Sequence, residues 1–219
     1  TIMEGEKIGK NCKIFPGAVV GAIPQDLKFE GEYSVIEIGD NVTIREYCTL
    51  NRGTKANDKT IIEDNCLLMA YVHVAHDCVV GDNVILANNA TLAGHVTVGD
   101  FAILGGLSAA RQFVRIGKHA MIGGLTGVEN DVIPFGTVMG DRARLSGLNL
   151  IGLKRRGFTQ EQIAELRKAY RLVFADEGTF QERVDSVARE FCDHEAVADI
   201  VSFIRATSSR GAICQPGRT

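Results

Sequence analysis

Read in sixes, residues 62 to 133 run IEDNCL LMAYVH VAHDCV VGDNVI LANNAT LAGHVT VGDFAI LGGLSA ARQFVR IGKHAM IGGLTG VENDVI. The first place is Ile, Leu or Val in eleven of these twelve hexads, Ala110 being the exception, and the second is often Gly. The pattern recurs earlier, in IGKNCK and IFPGAV from Ile8 and Ile14, and in IGDNVT and IREYCT from Ile38 and Ile44. A helix would smear such a pattern around its circumference, and a two-sided strand would alternate at period two. Neither fits. A period of six suits a short extended segment followed by a tight corner, with the aliphatic residue pointing inward. Three such segments close a triangular coil of about eighteen residues, and stacked coils pair as parallel strands about 4.8 Å apart. Glycine and asparagine are expected to supply the corner conformations.

Two stretches break the rhythm. Residues 22–37, AIPQDLKFEGEYSVIE, place charge and Pro24 where aliphatics should recur, and residues 51–60, NRGTKANDKT, are polar throughout. Both read as loops thrown out from a coil, and PQDLK sets a carboxylate and an amine beside the scaffold. Beyond residue 157 the periodicity becomes helical. Thr159–Gln162 and Thr179–Glu182 are capping boxes, followed at helical spacing by Ile163, Leu166, Tyr170, Val173 and Phe174, and by Val184, Val187 and Phe191. A third apolar helix is expected over residues 195–205. The organisation expected is a β-prism over residues 1–140, a connector over 141–157 and a helical domain over 158–219.

The chain has 219 residues and a formal net charge of -3, with no basic field suited to nucleic acid. No window approaches the roughly 18 apolar residues of a membrane helix, and no signal peptide opens the chain. Cys12, Cys48, Cys66, Cys78, Cys192 and Cys214 form no CxxC, and they read as small buried thiols of a reducing cytosol. The first residue is Thr1, so the natural N-terminus is expected to lie further upstream.

Three of the five histidines fall inside the hexads: His73, His76 and, nineteen residues later, His95. On an eighteen-residue coil His76, Gly94 and Gln112 form a column, with His95 and Arg111 one step off it. Polar groups therefore gather at one edge of the prism. They can be solvent-facing corner residues, ligands of a zinc ion, or a general base with its support. Zinc would suit histidines on adjacent coils, but the pair here is H-x2-H and no H-x4-H spacing exists, so no metal or other cofactor is expected. A base would be His76, an exposed edge imidazole held by the adjacent Asp77 or a nearby carbonyl.

The hexads resemble the left-handed parallel β-helix family of acyl- and acetyltransferases. More specific stretches are IPQDLKFEGE, MAYVHVAHDCVVGDNVILANNATLAGHVTVGDFAILGG, GLNLIGLKRRGF and SSRG. Together these resemble the UDP-N-acetylglucosamine 3-O-acyltransferases of lipid A biosynthesis over nearly the whole chain. The resemblance implies a cytoplasmic homotrimer, with sites between neighbouring prisms. It also implies transfer of a (3R)-3-hydroxyacyl chain from acyl carrier protein to the 3-hydroxyl of UDP-N-acetylglucosamine.

It further implies roles for particular residues. His76 is the base and Asp77 its support, and the Gly94 N–H faces the thioester oxyanion. His73, His95, Gln112, Asp26 and Lys28 surround the sugar. Asn149, Arg155 and Arg156 serve the nucleotide end. Gly124, 48 residues beyond His76, sets how far the acyl chain reaches along the prism. The basic residues Lys154, Arg155, Arg156, Arg167, Lys168 and Arg171 are candidates for meeting the acidic carrier protein.

The sequence departs from the family pattern at three points. Arg111 precedes Gln112 where the family has histidine, Arg142 stands in place of another histidine, and Ile151 replaces a glutamate. The chain also opens two to three coils later than family members do. Two other readings stay open: the same fold and donor with a different sugar nucleotide, such as a 3-amino sugar, and a non-catalytic binding paralogue.

Overall fold

In a computed structural model, residues 1–206, 208 and 212–217 are described. The stretch SSRG falls largely outside them, at residues 209–211. Among the described residues the hexads build a left-handed parallel β-helix with three faces. The first face runs through Glu6–Ile8, Val35–Ile38, Lys59–Ile62, Val79–Val80, Thr97–Val98 and Arg115–Ile116. The second begins at Lys13–Ile14 and passes Leu67–Leu68 and Ile103–Leu104 to Met121–Ile122, Gly136–Met139 and the antiparallel Arg144–Leu148. The third runs through Val19–Ala22, Thr49–Asn51, His73–Val74, Thr91–Leu92, Ala109–Ala110 and Gly127–Val128.

All twelve first-place residues from Ile62 to Val128 are buried, Ala110 included at 3% exposure. A second inward row, not anticipated from the sequence, is the fifth place of each hexad. There Cys66, Val72, Cys78, Val84, Ala90, Val96, Ala102, Ser108, Val114, Ala120, Thr126 and Val132 are all buried. The residues are small because they sit where the chain turns toward the next face. Each inward Val, Leu or Ile contributes about 1.5–3 kcal/mol by leaving water. Of the six thiols, Cys48, Cys66, Cys78 and Cys214 are buried, but Cys12 is half-buried and Cys192 exposed, so the expectation of uniform burial fails for these two.

Asparagine and glycine supply corner conformations as expected at Asn11, Asn41 and Gly17 (φ 57°, 57° and 78°), but glycine does so at few of the corners. In the hexads from Ile62 to Gly127 the left-handed residue is the fourth, and it is Asn65, Asn83 or Asn89 at some corners but Tyr71, Asp77, His95, Phe101, Leu107, Phe113, His119 or Leu125 at others. Second-place glycines have no such φ; they are there because the next coil leaves no room. A Cβ on Gly99 would lie 2.6 Å from the Lys118 nitrogen, and one on Gly105 2.5 Å from that of Gly124.

Ile62 pairs with Val80, 18 residues on, but Ile38 pairs with Ile62, 24 on, and Ile8 with Ile38, 30 on. The two loops therefore add six and twelve residues, whole hexads, and occupy residues 52–58 and 23–34. Asn51 Nδ2 donates to the Ile23 carbonyl at 3.0 Å, and the Lys55 N–H donates to Glu32 Oε1 at 3.1 Å, which ties one loop to the other.

Four helices follow: α1 (Leu150–Arg155), α2 (Gln160–Val173), α3 (Phe180–Glu190) and α4 (Glu195–Arg205). Both expected capping boxes are formed, and His194 caps α4 by accepting from the Val197 N–H at 3.3 Å. Leu153, Leu166, Val173, Val184, Val187 and Ile200 pack together with Phe135 of the last coil. The helices are fastened to the prism by Lys118–Asp199 at 2.7 Å and by Arg115, which pairs with buried Asp131 at 2.8 Å and donates to the Phe203 carbonyl. No described helix is long and apolar enough to cross a membrane.

Candidate active site

At the edge where the third face turns into the first, the register sets His76, Gly94 and Gln112 in one column and Asp77, His95 and Phe113 in the next. Asp77 is left-handed (φ 59°), a conformation aspartate tolerates better than most residues, and this folds its carboxylate back toward its neighbour. His76 Nδ1 lies 2.7 Å from Asp77 Oδ2. The same oxygen accepts from Thr54 Oγ1 at 2.7 Å, and Oδ1 accepts from the Thr54 N–H at 2.9 Å. The Asp77 N–H in turn donates to Thr60 Oγ1 at 2.9 Å. The expected exposed edge histidine is in fact 5% exposed and Asp77 2%, because the 52–58 loop lies over the corner.

Gly94 lies against the imidazole. A Cβ there would stand 2.5 Å from His76 Cε1 and 2.6 Å from Nε2, so only glycine admits the ring. His95 stacks on Phe113 with centroids 4.4 Å apart and meets His76 edge-on at 5.1 Å. Burial holds the His95 imidazole below its ordinary pKa, opposed by the charges of Asp77 and Asp26. That interaction places Asp26, on the 23–34 loop, within electrostatic reach of the site. His73 Nδ1 lies 2.7 Å from Thr49 Oγ1, and burial lowers its pKa too. Gln112 is exposed on the same edge, and Lys28 is exposed on the loop.

His76, Asp77 and His95 offer nitrogen and oxygen atoms all within 4.8 Å of one another, a set different from the H-x2-H pair considered above. Three donors already bond the Asp77 carboxylate, so these atoms form a hydrogen-bonded network that an ion bound at Asp77 would have to rearrange.

The remaining expected residues lie on the other two edges. Between the first and second faces, Phe101, His119 and Phe135 stack along the corner, with centroids 4.9 and 5.3 Å apart, and the Arg156 guanidinium lies 4.1 Å above Phe101. Asn149 caps α1, its Oδ1 accepting from the Gly152 N–H at 3.0 Å and its Nδ2 donating to the His119 carbonyl at 3.0 Å. Arg155 is exposed in the last turn of α1. A cavity of about 510 Å³ opens beside this edge, lined by Lys118, His119, Phe158 and Asp199 among others. Gly124 lies on the third edge, beside exposed Leu107 and Leu125 and in the corner series of the stacked pair Tyr47 and Tyr71. A groove along one edge from His76 therefore does not reach Gly124 within one chain, which corrects the straight path expected from the spacing.

Sequence reasoning missed Thr49, Thr54, Thr60 and Phe113. Phe113 sits one coil above His95 in the hexads and could have been found from the eighteen-residue column. Thr54 could not, because the six extra residues of its loop hide which corner it covers.

Residues 131–213 match the family described as UDP N-acetylglucosamine O-acyltransferase, domain 2, and residues 59–94 match the bacterial transferase hexapeptide family. An acyl-(acyl-carrier-protein)–UDP-N-acetylglucosamine O-acyltransferase from Methylobacterium radiotolerans is 61% identical over 205 residues, covering 93% of this chain and 75% of that relative. The chain belongs to the UDP-N-acetylglucosamine O-acyltransferase family. The Aquifex aeolicus member is 58% identical, with 90% of this chain and 76% of that one covered. A solved UDP-N-acetylglucosamine acyltransferase from Bacteroides fragilis superposes with a TM-score of 0.93 at 43% identity, covering 97% and 83% of the two chains. The Arabidopsis enzyme superposes at 0.88 and 37% identity, covering 97% and 91%.

An O-acyltransferase needs a base for a hydroxyl and a donor for an oxyanion. A carboxylate can only accept, so the His76 tautomer that completes a bond to it carries its proton on Nδ1. Nε2 then carries the free lone pair and faces the Gly94 main chain. The coil gives the Gly94 N–H no backbone acceptor among the described residues.

Proposed function

We propose that this chain transfers a (3R)-3-hydroxyacyl group from acyl carrier protein to the 3-hydroxyl of UDP-N-acetylglucosamine, the opening step of lipid A biosynthesis. The observation that carries the reading is the buried Asp77–His76 pair aimed at Gly94. His76 Nε2 removes the hydroxyl proton as the oxygen attacks the thioester carbonyl. The Gly94 N–H stabilises the oxyanion of the tetrahedral intermediate. As the C–S bond breaks, His76 returns the proton to the carrier thiolate, and no acyl-enzyme forms. His73, His95, Gln112, Asp26 and Lys28 hold the sugar.

Asn149, Arg155 and Arg156 serve the nucleotide, with guanidiniums suited to its diphosphate. They stand on a different edge from His76, as does Gly124. One copy's catalytic edge is therefore completed by a neighbour in a homotrimer, and the exposed apolar edge of Tyr47, Tyr71, Leu107 and Leu125 supports such packing. Lys154, Arg167 and Arg171 on α1 and α2 favour an acidic carrier protein. Six free thiols fit a cytoplasmic setting.

Mass spectrometry after incubation with UDP-N-acetylglucosamine and hydroxyacyl carrier proteins of several lengths tests this. The 3-O-acyl product is expected. His76→Ala should lower its rate on the order of a hundredfold to ten-thousandfold while the fold persists. A 3-amino sugar nucleotide serves as the competing acceptor, because exposed Ile151 stands where the family has glutamate. Exclusive acylation of that competitor, or a His76→Ala variant of undiminished rate, would overturn the assignment.

A further inference from the structure

The base pair His76–Asp77 is held from outside the hexad repeat. Thr54 sits on the 52–58 loop, 23 residues before Asp77, and binds both carboxylate oxygens, one through its N–H and one through its hydroxyl. The hydroxyl itself accepts from the Ala56 N–H at 3.2 Å. Its acceptor side is therefore occupied, and its proton points at Asp77 Oδ2. A directed chain results, from Ala56 N–H to Thr54 O–H to Asp77 Oδ2, where it meets the proton of His76 Nδ1. Asp77 and Thr54 are 2% and 7% exposed, so water does not compete for these bonds. Thr60 accepts from the Asp77 N–H and fixes the backbone beneath the carboxylate.

We infer that Thr54 is a positioning residue for the acyl transfer. It touches neither the acceptor hydroxyl nor the thioester; it fixes the Asp77 carboxylate so that His76 keeps its proton on Nδ1 and its lone pair on Nε2. The 52–58 loop thereby becomes part of the catalytic apparatus rather than a tolerated surface insertion. The inference rests on the function proposed above.

Thr54→Val keeps the buried shape and removes the hydroxyl, while Thr54→Ser keeps the hydroxyl. Relative to wild type, with UDP-N-acetylglucosamine and a hydroxyacyl carrier protein, kcat of Thr54→Val should fall on the order of ten- to a hundredfold, as loss of a hydrogen bond to a buried charge predicts. KM for the sugar nucleotide should stay within about twofold, because no substrate contact is removed. Thr54→Ser should restore kcat. A second measurement needs no substrate. In protein labelled with 15N-histidine, the His76 Nδ1–H resonance should be sharp in wild type and Thr54→Ser, and exchange-broadened in Thr54→Val. An inactive wild type whose Nδ1–H resonance is sharp, and broadens in Thr54→Val, would overturn the acyltransferase reading and with it the role in acyl transfer, while the hold of Thr54 on the His76–Asp77 pair would stand. A folded Thr54→Val variant with wild-type kcat and an unchanged His76 resonance would overturn the inference. So would a loss that Thr54→Ser fails to rescue.

Discussion

One carbon at Gly94 separates a seated His76, the proposed base, from a displaced one. Its φ is not left-handed, so alanine suits the backbone, and what forbids a methyl group is the His76 ring within 2.5–2.6 Å of it. Gly94→Ala should therefore fold, push the imidazole off Asp77 and lose on the order of a hundredfold or more in kcat, as for loss of general-base catalysis. A variant with full activity and native circular dichroism would show that the ring can move without cost. This relation was legible in the sequence, because His76 and Gly94 are eighteen residues apart in unbroken hexads. Burial of the dyad was not. The lid over it comes from a polar stretch whose length, not its composition, decides where it lands.

The corner is the element that gives each edge its character. Along one edge Asn11, Asn41, Asn65 and Asn83 give way to Phe101, His119 and Phe135, all left-handed, so a side-chain stack runs up the outside of the prism. Aliphatic spacing announced the faces, but it is silent on what these corner side chains do, since any residue that tolerates positive φ keeps the period. That is why the period alone does not separate a corner glycine such as Gly17 from the second-place glycines, whose task is to let coils approach. His119 carries a cost within the stack. Burial, then the Arg156 and Lys118 charges, hold its pKa below the ordinary value. The unfolded chain takes up protons near pH 6.5 while the folded one resists, so stability is complete above that value and declines as pH falls below it. His119→Phe replaces the imidazole with a ring already accepted at positions 101 and 135. Its melting temperature should drop less than that of wild type between about pH 7 and 5. The flattening is partial, since His73 and His95 are shifted the same way. Parallel melting curves would refute this reading.

At the scale of the molecule, the proposed base His76 and the proposed measuring stick Gly124 are on different edges. Gly124 is exposed, its φ is ordinary, and a Cβ there would meet only Gly106, its carbonyl oxygen at 3.2 Å and its nitrogen at 3.9 Å. Corner geometry therefore does not demand glycine at this position. Gly124→Met should fold with a stability change of about 1 kcal/mol or less. It should favour shorter acyl donors, each excluded methylene forfeiting about 0.8 kcal/mol of burial. A donor-length profile identical to that of wild type would remove Gly124 from the acyl path. In the proposed homotrimer the effect also depends on assembly, because there the edge that carries Gly124 in one copy faces the His76 edge of another.

The whole-hexad length of the two loops gives the prism something like a reading frame. A chain that leaves the coil and returns after six or twelve extra residues resumes with the same letter of the same word, and every aliphatic downstream still points inward. A loop of another length has to absorb the difference within itself, or the code is misread from there to the last coil. The segment that carries Thr54 is thus a punctuation mark of one word's length. It can be excised or transplanted between prisms with the text on either side unaltered, and the hydroxyl that holds Asp77 travels with it.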